Sequence, residues 1–160
     1  MTESRRCTGA ALSRVWTCPR QANPFTVRQL RVFHAVLRES EEIWNRVMAG
    51  MILFCVYARA RWSDAQHTEM LVEDKDDEQC IQFLEARTTV HKTARAFHVR
   101  HQYLPMAAPA FGVTDDNWGF QWTHARRVLK IGDLSKFPLM SAPDSMLEAT
   151  RRPLTTQEAK

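Results

Sequence analysis

The sequence predicts an α+β domain, mainly α, with helices packed around a small two- or three-stranded antiparallel sheet. A disordered basic N-terminus and an irregular C-terminal tail flank it. Apolar residues recur at helical spacing from Leu30 to Tyr57 and again from Trp118 to Leu129. Between those stretches, from Cys80 to Leu104, the chain turns β-branched and alternates apolar with polar residues. Its 160 residues, 44% hydrophobic and 25% charged, suit one globular domain.

Residues 1–23 have no sustained period and read as a basic arm closed by Asn23-Pro24. The segment 24–132 then forms the domain. Thr26 and Gln29 spell a capping box, with Phe25 and Leu30 placed for a hydrophobic staple around it. Leu30, Phe33, His34 and Leu37 give this first helix one buried face. Ser40 is the expected cap of a second helix, with Glu41 and Glu42 in its first turn. Ile43, Trp44, Val47, Met48, Met51, Ile52, Phe54 and Cys55 cover most of its circumference, which places it at the centre of a core. The apolar run ends at Tyr57, and Arg59 and Arg61 follow where the helix dipole favours cations. Ser63 and Gln66 spell a second capping box, and Asp64 falls in the first turn of the short helix they would start.

Strand chemistry follows. Ile81 and Phe83 alternate on one face, Thr88–Thr93 is β-branched, and Ala96–Leu104 alternates up to Pro105. Lys92 and Thr93 fall near a turn, and Leu71 and Val72 either extend the sheet or close the short helix. Asp115, Asp116 or Asn117 starts a third substantial helix carrying Trp118, Phe120, Trp122, Val128 and Leu129, with Gly132 as its stop. Residues 133–160 hold Pro138, Pro143 and Pro153 and read as an irregular linker. The linker leads to a capping box, Thr155-Thr-Gln-Glu158, that begins a helix the chain does not complete, so the reading frame is expected to continue.

The formal charge is +4, a mild preference for polyanionic partners. Arg5, Arg6, Arg14, Arg20, Arg28, Arg31 and Arg38 face only Glu3, and a second basic run holds Arg87, Lys92, Arg95 and Arg100. Glu73, Asp74, Asp76, Asp77 and Glu78 read as a solvated acidic loop. His91, His98 and His101 have no cysteine or carboxylate at a ligand spacing, so neither metal nor cofactor is expected. Glycines are scattered and form no phosphate loop. Cys7, Cys18, Cys55 and Cys80 are unpaired in pattern, which implies a reducing intracellular compartment, the nucleus among them. The longest apolar run, Val47–Ala58, is too short to span a bilayer, and residues 1–22 lack the apolar core of a secretion signal.

The order of a helix after Pro24-Phe-Thr26, a buried helix, Ala60-Arg-Trp-Ser-Asp64, a small sheet and Lys92-Thr93 at a turn resembles the first half of the catalytic domain of tyrosine recombinases. The likeness is to the divergent chains of DIRS-type retroelements and covers residues 24–109. The resemblance implies that Arg61 binds the scissile phosphate, that Asp64 orients groups beside it, and that Lys92 protonates the leaving hydroxyl. Arg59 is the rival to Arg61, and Arg59, Arg95 and Arg100 would contact DNA. A forked, permanently charged guanidinium suits the charge that gathers on a phosphodiester in an in-line transition state. DNA is then the partner, with a homo-oligomer on DNA in a full-length form and no membrane.

The pattern breaks in one place. The family's nucleophilic tyrosine follows its second box, His-x-x-Arg, whereas here the only tyrosines, Tyr57 and Tyr103, come early. His124-Ala-Arg-Arg127 spells that box by coincidence, and its arginines are expected on a solvated face. The chain therefore reads as a fragment of a DNA breaking-and-rejoining protein, inactive alone. The alternatives are a non-catalytic basic module that binds nucleic acid or protein, and a degenerate coding remnant.

Overall fold

A computed structural model describes residues 23–90, 103–155 and 157–158. The fold is α+β. Four helices are described: α1 (Val27–Glu39), α2 (Ile43–Tyr57), α3 (Trp62–Gln66) and α4 (Trp118–Val128). An antiparallel sheet has the order β1 (Met70–Lys75), β2 (Ile81–Thr88), β3 (Leu104–Pro109), and a separate hairpin pairs β4 (Ser141–Pro143) with β5 (Ala149–Pro153).

Local chemistry starts α1 as expected. The Thr26 hydroxyl accepts from the Gln29 amide while the Gln29 side chain accepts from the Thr26 amide. The Phe25 ring sets edge-on to Phe33 at 5.4 Å. Ser40 closes α1, its amide donating to the Val36 carbonyl, and Glu42 is the N-cap of α2 without a side-chain bond. The expected Ser40 cap of α2 is therefore two residues early, because Ser40 ends α1, and Glu41 and Glu42 precede the helix and do not fall in its first turn.

The core is built where α2 crosses α4. Val47, Met51, Leu53 and Phe54 of α2 and Trp118 and Trp122 of α4 are fully buried. Phe54 stacks on Trp122 at 5.4 Å, and the two indoles lie 6.1 Å apart. Each indole N–H is satisfied, Trp122 by the Val47 carbonyl and Trp118 by that of Pro109. Gly50 makes the crossing possible, since a methyl there would lie 2.1 Å from Cδ1 of Trp122. Burial of each large apolar side chain contributes roughly 1.5–3 kcal/mol.

The sheet turns Leu84, Ala86 and Thr88 of β2 toward this core and Phe83, Glu85 and Arg87 outward. Ile81 is also buried, so the expected sharing of one face by Ile81 and Phe83 fails. The cause is an irregularity in pairing between Asp74 and Lys75, opposite Ile81–Phe83, which flips the face across one extra residue. Leu71 and Val72 lie in β1. The third strand begins at Leu104 and contains Pro105, where the sequence placed its end. It is an edge strand, where a proline is tolerated. Only part of the acidic cluster is loop: Glu73 and Asp74 belong to β1, and Asp76 ties the turn by accepting from the amides of Glu78 and Cys80.

Asn117 caps α4 through the Phe120 amide. The helix ends with Lys130 at φ 59°, so a lysine and not Gly132 takes the left-handed turn. The segment expected as an irregular linker departs most from the sequence reading. Leu139, Met140, Ala142 and Leu154 are buried, and the β4–β5 hairpin ends both its strands in proline. The capping box at Thr155 and Glu158 forms, with Arg152 holding the Glu158 carboxylate at 2.8 Å and lowering its pKa to about 2. No described helix is long and apolar enough to cross a membrane.

Candidate nucleic-acid interface

The end of α2 sets up the site. The Ala60 amide donates to the Cys55 carbonyl and the Arg59 amide to that of Val56, the paired bonds of a Schellman close. Arg59 sits at the left-handed position of this turn, at φ 52°, where glycine is usual. The chain then reverses into Arg61, which is extended and forms the N-cap of α3. Ser63 falls inside the helix, so the expected Ser63–Gln66 capping box does not form.

Gln66 has a different task. Its amide nitrogen donates to the Leu154 carbonyl at 2.7 Å, and its oxygen accepts from the Met140 amide at 3.1 Å. The Trp62 indole donates to the same Leu154 carbonyl. Ala65 is fully buried beneath. The short helix is thus fixed from behind, and its solvent side carries Arg61.

The Arg61 side chain is 62% exposed, and its Nη1 lies 3.9 Å from Oδ2 of Asp64, which is 9% exposed. The carboxylate is anchored in the protein and the guanidinium is not, so Asp64 biases the direction of Arg61 without occupying its donors. A pair this long and exposed contributes ~0–1 kcal/mol to stability. Arg59 and Arg87 are also exposed, and among the described residues neither is in an ion pair. Other arginines are spoken for: Arg38 bridges to Glu39 and Asp116, and Arg152 to Glu158.

Lys92, Arg95 and Arg100 lie outside the described residues, as do His91, His98 and His101, Cys7 and Cys18, and the basic arm up to residue 22. The chain that leads to Lys92 is described. Thr88 is buried at the end of β2, and its hydroxyl donates to the carbonyl of His67, the C-cap of α3, at 2.7 Å. The Glu69 amide donates to the Arg87 carbonyl beside it. Lys92 follows Thr88 by four residues, a reach of up to ~14 Å in extended chain. Helix α3 rises about 9 Å between Arg61 and His67.

Tyr57 closes off one chemical option. Its oxygen accepts from the Val113 amide at 3.0 Å and lies 2.9 Å from Nε2 of His34, whose Nδ1 is 2.9 Å from the Thr114 hydroxyl. Burial pushes the Tyr57 hydroxyl up and the His34 imidazole down, so both are held neutral. A hydroxyl tied on two sides and resting against Gly112 is a strut, not a nucleophile. Tyr103 is exposed immediately before β3.

Among the described residues Cys55 and Cys80 are free, and burial raises the Cys55 thiol to about 12. No cluster there could hold a metal. The sequence reading missed Arg126, which was expected on a solvated face and is 2% exposed. No family model, curated protein or solved structure matches the chain.

Proposed function

We propose that this chain is part of the catalytic domain of a tyrosine-recombinase-like DNA strand transferase, retaining phosphate binding and lacking its own nucleophile. The reading rests on one observation: an exposed guanidinium, Arg61, beside a buried carboxylate on a helix clamped from behind. Support comes also from the order of elements, in which α3 is followed at once by an antiparallel sheet whose second strand is fastened to α3. Arg61 holds a backbone phosphate and Asp64 steers it, and Lys92, Arg59, Arg95 and Arg100 add positive charge for DNA. The Tyr57 hydroxyl is committed to His34 and Val113, so this chain does not cleave DNA unaided. Free thiols at Cys55 and Cys80 fit a reducing setting. The second reading, a non-catalytic basic module that binds duplex, draws on the same commitment of Tyr57.

Duplex binding measured over a range of salt tests the proposal. Arg61→Ala is expected to weaken binding about tenfold and to lower the salt slope by roughly one phosphate contact. A DNA substrate designed to trap covalent intermediates is expected to give no adduct. Binding unchanged by Arg61→Ala leaves only a generic basic surface, and an adduct at Tyr57 or Tyr103 overturns the account of the missing nucleophile.

A further inference from the structure

Arg126 stands in the last turn of α4 with its side chain almost wholly buried. Its Nη2 donates to the Ile131 carbonyl at 2.8 Å, and its guanidinium lies 5.6 Å from the centre of the Trp122 ring. Its Nε is buried and has no partner among the described residues, and no carboxylate there pairs with it. Burial lowers its pKa to about 10, with Arg127 adding to the effect, so it stays charged at neutral pH. A buried cation without a paired anion is costly, which marks Arg126 as a candidate functional group.

A cleft lies against this group. It has a volume of about 380 Å³ and is lined by Leu71, Glu73, Lys75, Thr123, Arg126 and Arg127. That is many times the ~30 Å³ share of one water. Arg127 and Lys75 both bridge to Glu73, the Lys75 contact at 3.3 Å. Glu73 alone faces three cations, which leaves a surplus of two positive charges in the cleft. Leu71, Glu73 and Lys75 alternate along β1 and so share the face that lines the cleft.

We propose that the cleft between β1 and the end of α4 binds a phosphate group, with Arg126 as its buried anchor and Lys75 and Arg127 at its rim. The phosphate belongs either to a nucleic-acid backbone or to a free phosphorylated small molecule. Neither Arg61 nor the reading built on it enters this inference.

Inorganic phosphate titrated into the full chain at constant ionic strength, read by the fluorescence of the tryptophans and by calorimetry, tests it. Saturable binding is expected. Lys75→Gln, at an exposed position, is expected to weaken it roughly three- to tenfold, and Glu73→Gln to strengthen it by a similar factor. Arg126→Gln is expected to abolish it. The first two variants keep the test decisive if Arg126→Gln does not fold. A short DNA duplex distinguishes the sources. Duplex affinity that falls with Lys75→Gln assigns the phosphate to nucleic acid, whereas duplex affinity unchanged beside weakened phosphate binding assigns it to a small molecule. Absence of saturable phosphate binding, or binding equal in wild type, Lys75→Gln and Glu73→Gln, overturns the site.

Discussion

Tyr57→Phe removes one oxygen and strands two groups. In the wild-type protein that oxygen accepts from the Val113 amide and shares a hydrogen bond with Nε2 of His34, whose Nδ1 in turn meets the Thr114 hydroxyl. The variant leaves the Val113 N–H and the buried His34 Nε2 without partners. Each stranded group costs ~1–3 kcal/mol, and with Tyr57 and Val113 only half-buried the lower part of that range applies, about 2–4 kcal/mol in all. At this chain length each kcal/mol lowers the melting temperature by roughly 2–4 °C, so a fall on the order of 10 °C is expected in thermal unfolding followed by circular dichroism. The pH profile gives a second reading of the same network. His34 has its pKa lowered from 6.5 by burial, so its contribution is intact above pH 6.5 and is lost as pH falls through the lowered value. Tyr57 has its pKa raised from 10.0 by burial, so its contribution is intact below pH 10.0 and is lost as pH rises through the raised value. Wild type should show a stability plateau between those limits, and Tyr57→Phe should lose the alkaline limb. A melting temperature within ~1 °C of wild type would refute the reasoning and return Tyr57 to consideration as a reactive hydroxyl.

Two further outcomes test the frame around the candidate site. Gly50→Ala gains ~1 kcal/mol of helix propensity but drives a methyl against the Trp122 ring, whose overpacking costs ~1–3 kcal/mol or more. A net loss of about 1–2 kcal/mol is expected in the denaturation midpoint, and a gain would mean that the α2–α4 crossing yields more easily than its burial indicates. Arg59→Gly relieves a left-handed residue and should raise stability by ~0.5–1 kcal/mol in the same assay while lowering duplex affinity. Stabilisation without loss of affinity would remove Arg59 from the DNA surface.

The helices were legible because their signals are local. Thr26 with Gln29 and the apolar spacing of Leu30, His34 and Leu37 need no partner to be read. The central place of α2 followed from an apolar residue on nearly every side. The face of Phe83 was hidden because it depends on how β2 pairs with β1: Gln82 is skipped in the register, and its side chain does not signal this. Both helix ends at Arg59 and Lys130 turn left-handed without glycine, so the usual punctuation is missing. The three prolines of residues 133–153 suggested a linker, although Pro143 and Pro153 only close two short strands. Arg61 and Asp64 were readable as a spacing, and the structure confirms their proximity. The burial of Arg126 was not readable, because it depends on how the chain after α4 folds Ile131 back over its guanidinium beside Trp122, and arginine by itself announces water.

The side chain of Gln66 joins two distant stretches, Met140 and Leu154, to the underside of the helix that begins at Arg61. Tension or ligand applied near Leu154 is therefore delivered to α3 through one amide and one indole. The seat of the C-terminal hairpin and the seat of α3 are joined, whereas the exposed guanidinium of Arg61 keeps its own freedom.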